Sequence, residues 1–238
     1  MLPIPVPANF RIIAHRGASA YAPENTLAAF RLAQQMGIQE VELDAQLTTD
    51  GVVVLCHDHT LERYGHEPRV VEALSAAELL RLDMGSWFSP FHFSGEPMLT
   101  LADLFAHFGS HLVYHVEIKG EAPGLVNAVA ALIAQHNLAE HTIITSFHAA
   151  ALAAMQQVAP HLRRGWLVEQ IDDQVLARAQ ELKLFQICPA AAHLSPASVQ
   201  RARAVVPEVR AWGLSGTNRQ VIQLIHQVID SGCDGMTI

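Results

Sequence analysis

The chain has 238 residues, 50% of them hydrophobic and 16% charged. That supplies material for a large core, in one sizeable domain or two small ones, and a single α/β barrel commonly takes such a length. A formal net charge of −8 argues against non-specific attraction to nucleic acid or to an anionic membrane surface, so an anionic ligand would need cations gathered locally.

The start, "MLPIPVPANFR", lacks the basic segment and apolar run of a secretory signal. No run of about 18 apolar residues follows anywhere, so no stable membrane insertion is expected. The three cysteines, Cys56, Cys188 and Cys233, form no C-x-x-C pair and read as reduced, buried thiols, consistent with a cytoplasmic location.

The first predicted strand, "RIIAH" (11–15), ends on His15, with Arg16 beside it and Gly17 opening a loop. "ENTLAAFRLAQQMG" reads as a helix with Asn25-Thr26 as its start signal and Gly37 as its stop. Next comes "EVELDAQL" (40–47), in which Glu42 and Asp44, two apart, share one strand face. "TTDG" is too short for a crossover helix. It predicts a hairpin into "VVVLCH" (52–57), pairing Leu47 with Val52 and setting Glu42 opposite His57.

Residues 58–111 break the rhythm. They carry helical patterns in "SAAELLRLDM" and "TLADLFAHFG" around the aromatic stretch "GSWFSPFHFSGEPM", and read as an insertion after the third strand. The alternation then resumes, with strands at 112–119, 142–147, 164–168, 184–188, 209–213 and 235–238 and helical segments between most of them. This βα alternation predicts an α/β fold with a parallel sheet. Nine candidate strands fit a TIM-like (β/α)8 barrel with one extra strand; a doubly wound sheet is the alternative.

In a barrel, C-terminal strand ends face the active site. Taken singly, the motifs there are ordinary: E-x-D reads as a solvated pair, Glu117 and Lys119 of "VYHVEIKG" as a salt bridge, and Asp58 with His59 as a surface turn. Together, four strand ends carry two histidines, three carboxylates, an arginine and a lysine. Two carboxylates on one face repel unless a cation lies between them, and oxygen-only ligands suit Mg²⁺ or Ca²⁺. The set describes a pocket for a divalent metal and a phosphate, with a pair of groups able to act as acid and base.

"AHRGASAYAPENTLAAF", "VELDAQLTTDGVVVLCHD" and "VEIK", in this order, resemble the glycerophosphodiester phosphodiesterases. "LDMGSWFSPFHFSGEPMLTLADL" resembles the insertion of the cytoplasmic bacterial branch. The resemblance implies a TIM-like barrel with one divalent metal ion, and hydrolysis of a small-molecule glycerophosphodiester to glycerol 3-phosphate and an alcohol. By position, His15 and His57 would be the acid–base pair, Glu42, Asp44 and Glu117 the metal ligands, and Arg16 and Lys119 the phosphate contacts. Phe147, in "TSFH", and Trp212 would wall the pocket. Asn25 is read as a helix cap and loop brace.

The sequence departs from the family after the third strand, where "ERYGHEPRV" retains Arg63, and near "AWGLSGTNR", where Asn218 has no secure counterpart. Two other functions stay open at this point. One is a lysophospholipid or phosphoinositide phosphodiesterase, with "GSWFSPFHF" as an apolar lip. The other is a non-catalytic barrel that binds phospho-polyols. The sequence does not set the oligomeric state.

Overall fold

The structure, a computed structural model, describes residues 4–238; the first three residues of the segment read as lacking a leader lie outside the described residues. Nine strands appear among the described residues, close to the nine expected. They are β1 (Arg11–His15), β2 (Glu40–Leu47), β3 (Val53–Leu55), β4 (Val113–Ile118), β5 (Thr142–Ser146), β6 (Arg163–Val168), β7 (Gln186–Pro189), β8 (Glu208–Ala211) and β9 (Gly235–Thr237). The helices are α1 (Leu27–Gln35), α2 (Ala76–Leu79), α3 (Leu101–Phe108), α4 (Leu125–Gln135), α5 (Ala149–Val158), α6 (Asp173–Glu181), α7 (Pro196–Arg203) and α8 (Asn218–Asp230). None is long and apolar enough to cross a membrane.

Packing divides the chain into two compact units. One comprises Ala14–Ile144 with Ala153–Leu162; the other comprises Met1–Ile13, Thr145–Leu152 and Arg163–Ile238. In the first unit, β2 and β4 pair in parallel from Glu40↔Val113 to Ala45↔Ile118, which sets Asp44 directly beside Glu117. β3 is the extra strand and runs antiparallel to β2.

The hairpin register differs from the expected one by one residue. Leu47 pairs with Val53, not Val52, and Glu42 does not oppose His57. The turn is longer than "TTDG" because Thr48 and Val52 close it rather than join the ladder. The Thr48 N–H donates to Val52 O at 3.0 Å, the Thr48 hydroxyl accepts from Val52 N–H at 2.9 Å, and Gly51 takes the left-handed conformation at φ 81°. A slip of one residue exchanges strand faces. The ladder ends at Leu55, and His57 lies beyond it.

The insertion folds over this hairpin with its own core. Leu61, Tyr64, Val71, Leu74, Leu79, Met84 and Met98 pack on Val54 and Cys56. The helical pattern expected across 75–84 yields only the single turn of α2. The helix ends at its C-cap Leu80, and farther on Asp83 shapes a turn by accepting from the N–H groups of Gly85 and Ser86 and from the Ser86 hydroxyl. α1 is capped by Thr26, whose hydroxyl accepts from Ala29 N–H, and it buries Ala29, Phe30 and Ala33 on one face.

In the second unit, β9 pairs in parallel with β1 and β8, β8 with β7, and β7 with β6. Several of its interior polar groups bond one another, although Arg210 Nε is buried without a hydrogen-bond partner. Glu208 accepts from Arg11 at 2.6 Å and Gln186 at 2.7 Å, and Arg210 bonds Thr237.

All three thiols are free and buried. Burial pushes the Cys56 thiol up to about 12 and the Cys233 thiol up to about 11, so neither forms the reactive thiolate near neutral pH. Native protein at pH 8 is therefore expected to leave its thiols unmodified by a chromogenic disulfide reagent, while the same protein in denaturant reacts at all three. Fast labelling of the native chain would show that the packing around β3 is looser than described.

Candidate active site

Every charged residue proposed from the sequence for catalysis, metal or phosphate lies in the first unit. Glu42 and Asp44 stand on β2 and Glu117 on β4, and one carboxylate oxygen from each lies within 4.8 Å of the others. All three are buried, Asp44 at 1% exposure. Burial, then the Asp44 charge, pushes Glu117 up to about 7.

Asp44 is held from several sides. Its Oδ2 accepts from Asn25 Nδ2 at 2.8 Å and pairs with Arg16 Nε at 3.1 Å, and its backbone N–H donates to Asn25 Oδ1 at 3.3 Å. Its Oδ1 is buried with no hydrogen-bond partner, and Lys119 Nζ stands 3.9 Å away. A buried, unbonded carboxylate oxygen facing two further carboxylates is costly by itself. The donor set, all oxygen and all anionic, fits a hard divalent cation.

Asn25 is not the helix cap expected of it; Thr26 takes that role. Asn25 instead braces Asp44 from a left-handed backbone at φ 57°. Arg16 is also left-handed, at φ 56°, and Gly17 follows at φ 79° with no room for a Cβ, which would lie 2.7 Å from the Ala29 carbonyl carbon. Such conformations cost energy in a non-glycine residue and persist where neighbouring contacts hold them. Here they turn the Arg16 N–H onto Glu42 Oε2 at 3.1 Å and its guanidinium onto Asp44 and Glu24.

His15, at the end of β1, places Nε2 3.8 Å from Glu42 Oε2. Desolvation, and next the Arg16 charge, lower its pKa to about 4. The ring still exposes 44% of its side chain, which moderates that shift, and the neutral form prevails at neutral pH. His57 carries Asp58 Oδ1 at 2.6 Å on its Nδ1. Lys119 extends from the end of β4 to Glu117 Oε1 at 3.2 Å.

Sequence reasoning read Asp58 as part of a surface turn, gave Glu24 no role and left Arg63 as a remnant. In the structure Glu24 accepts from Arg16, Arg63 and Tyr64, and Arg63 grips Asp58. The signals available were the adjacency of Asp58 to His57 and the match of Glu24 and Arg63 to the family's motifs. Phe147 and Trp212 belong to the second unit, where their rings meet edge to face at 4.9 Å; Trp212 Nε1 donates to Val168 O. Asn218 is the exposed first residue of α8.

The chain is similar over 96% of its length to a crystal structure of a glycerophosphodiester phosphodiesterase from Agrobacterium tumefaciens, with TM-score 0.80, 26% identity and 95% of that chain covered. A structure of an Oleispira antarctica phosphodiesterase in complex with the product sn-glycerol-3-phosphate matches with TM-score 0.81 and 28% identity, over 98% of this chain and 92% of that one. The fold class is thus the TIM-like (β/α)8 barrel expected from sequence, and the doubly wound alternative is set aside.

The sequence matches the Glycerophosphoryl diester phosphodiesterase family over residues 15–238, and the chain belongs to that family. A glycerophosphodiester phosphodiesterase of Caldanaerobacter subterraneus is 37% identical over 162 residues; the match spans 66% of this chain and 66% of that relative's length.

Neutralising one carboxylate should relieve repulsion in the metal-free protein. Glu117→Gln is expected to melt no lower than the parent chain without metal, and to lose the rise in Tm that millimolar Mg²⁺ or Ca²⁺ gives the parent. A metal-induced rise of equal size in the variant would remove Glu117 from the ligand set.

Proposed function

We propose that residues 1–238 act as one phosphodiesterase domain, with 58–111 as its insertion, and that it hydrolyses glycerophosphodiesters to glycerol 3-phosphate and an alcohol. The observation that carries this reading is the convergence of Glu42, Asp44 and Glu117 around an unbonded Asp44 oxygen, with His15, Arg16 and Lys119 against them. The product bound in the Oleispira antarctica structure supports the substrate class.

Glu42, Asp44 and Glu117 would hold one divalent ion, Mg²⁺ or Ca²⁺. When bound, it supplies positive charge for the phosphate oxygens. Arg16 and Lys119 add the protein's own cations. Arg16 commits Nε and Nη1 to Asp44 and Glu24, and its Nη2 bonds no described residue. Phe147 and Trp212, packed edge to face, would present an apolar surface of their own unit.

His15 and His57 are the proposed acid–base pair. His15, neutral above about pH 4, can accept a proton at neutral pH. Among the motif residues no Ser, Thr or Cys carries its own base: Cys56 is buried, with its pKa pushed up to about 12. The attacking group is then water or the substrate's own C2 hydroxyl. The internal hydroxyl avoids the entropy cost of capturing a second molecule, an advantage that can reach ~10⁵ M in effective molarity. One histidine removes the C2 proton while the other protonates the departing alcohol; the roles reverse as water opens the cyclic 1,2-phosphate.

A second reading, a lysophospholipid substrate, draws on the insertion. Phe91 is 93% exposed there, beside an edge-to-face series running from Tyr64 through Trp87 and Phe88 to Phe93. Turnover of lysophosphatidylcholine that exceeds that of glycerophosphocholine and falls in Phe91→Ser would favour it. A cytoplasmic location is part of the main proposal, and cell fractionation checks it.

The deciding experiment incubates the protein with glycerophosphocholine and Mg²⁺ or Ca²⁺ and assays glycerol 3-phosphate. Excess chelator should abolish turnover and added metal restore it; no turnover of any glycerophosphodiester would leave a binding barrel. His15→Ala and His57→Ala should each lower kcat about 10²-fold or more. An analogue with hydrogen in place of the C2 hydroxyl should bind but turn over far more slowly. Comparable turnover of that analogue would assign the attack to water.

A further inference from the structure

We propose that Arg63, acting through Asp58, fixes the orientation and tautomer of His57, and that the aromatic insertion exists in part to hold Arg63 there. The proposal rests on the reading of His57 as an acid–base group. Asp58 and Arg63 would be positioning residues, since neither is required to touch substrate.

The geometry forms a continuous series. His57 Nδ1 lies 2.6 Å from Asp58 Oδ1. A carboxylate only accepts, so this contact places the proton on Nδ1 and leaves Nε2 as the nitrogen that exchanges protons with a ligand. Residues adjacent in sequence on a turn do not normally hold such a contact, because the Asp side chain has other rotamers and solvent available. Arg63 removes that freedom. Its Nε donates to Asp58 Oδ2 at 2.6 Å and its Nη2 to Oδ1 at 3.0 Å, so both carboxylate oxygens are fixed. The Arg63 hydrogen bond is also the main reason that the Asp58 carboxyl falls to about 2 and stays ionised.

Arg63 is itself fixed from the far side. Nη2 also lies 2.5 Å from Glu24 Oε1 and 2.8 Å from the Tyr64 hydroxyl, so its two hydrogens are shared among three acceptors. The guanidinium carbon sits 4.6 Å from the centre of the Tyr64 ring and 5.4 Å from that of Trp87. Trp87 in turn packs edge-on against Tyr64 at 5.6 Å and anchors Nε1 on Met84 O at 2.8 Å. These rings come from the insertion core, which is how a segment remote in sequence reaches the histidine.

Glu24 closes the series. Its second oxygen accepts from Arg16 Nη1 at 2.9 Å, and Arg16 Nε faces Asp44. The charges therefore alternate from Asp58 through Arg63, Glu24 and Arg16 to Asp44, joining the support of His57 to the carboxylate cluster beside His15 through side chains alone.

The competing account is a set of surface salt bridges. Arg63 is 37% and Asp58 29% exposed, and such pairs contribute little to stability. That account predicts that losing them changes Tm slightly and catalysis not at all. Positioning predicts a fall in kcat at constant KM, because the substrate is still bound but meets a histidine in the wrong tautomer.

The test compares the full chain with Asp58→Asn, Arg63→Gln, Arg63→Lys and His57→Ala, using glycerophosphocholine with saturating metal, and records the ¹⁵N shifts of the His57 ring in the metal-free protein. Asp58→Asn and Arg63→Gln should lose about 10-fold or more in kcat with KM within ~2-fold, and Arg63→Lys should recover part of the loss. The unsubstituted protein should show the Nδ1–H tautomer, and Asp58→Asn a shift toward Nε2–H. The proposal is overturned if His57→Ala is inactive while Arg63→Gln keeps full kcat, or if the unsubstituted protein holds His57 as the Nε2–H form. If His57→Ala is itself fully active, the acid–base reading falls instead, and the ring shifts alone decide whether Asp58 sets the tautomer. Should Arg63→Gln fail to fold, the ring shifts of the unsubstituted protein still decide.

Discussion

Asp44 carries a carboxyl group almost wholly removed from water, and the architecture of its unit answers that constraint. An isolated carboxylate there would be very unfavourable, and removal of one partner from a buried charge typically costs 3–5 kcal/mol. Compensation comes from the loop between β1 and α1. Asn25 and Arg16 reach Asp44 only because both adopt left-handed backbones, with Gly17 between them pressed on Ala29. The loop can hold that shape because Thr26 starts α1 at a fixed point and the Asn25 N–H donates to Arg16 O at 3.0 Å. One buried side chain thus engages both left-handed non-glycine residues of the loop, and the same conformation delivers the Arg16 N–H to Glu42.

The insertion is joined to the rest of its unit through two carboxylates, one outside it and one within it. Glu24, in the first loop, collects Arg16 and Arg63. Glu72, in the insertion, accepts from the N–H groups of Leu47, Glu121 and Ala122. Those bonds tie the end of β2 to the loop directly after Lys119, so the lysine leaves its strand from an anchored backbone. An insertion with its own apolar core around Tyr64 and Met84 is stiff enough to act as such a brace; a solvated loop of equal length would not be.

Period-two reasoning made the pairs Glu42/Asp44 and Glu117/Lys119 legible, because side chains two apart on a strand must share a face. It could not yield the hairpin register. Whether Val52 joins the ladder or closes the turn depends on the Thr48 hydroxyl and on Gly51, and the apolar run Val52–Val53–Val54 looks the same in either register. Asn25 was half legible: its position reads as both cap and brace, and only the long-range partner, Asp44, shows that the brace is its role while Thr26 is the cap. Asp58 and Arg63 were invisible as a pair because an acidic residue in a turn and an arginine five positions on are unremarkable locally. Their meaning comes from Glu24 and Trp87, which no local pattern connects to them.

The distribution of residue types between the two units follows from the range of the forces involved. Charges and hydrogen bonds in the proposed chemistry act over 3–4 Å, and a misplacement of one ångström is costly. The groups that carry them therefore come from strand ends fixed by a single continuous ladder, β2 with β4, and from loops stapled to it. Phe147 and Trp212, in the other unit, meet each other through apolar area and ring shape, which tolerate small displacements. A fold of this kind cannot vary Asn25, Arg16 or Gly17 freely, because each is held in a conformation that only the buried carboxylate justifies.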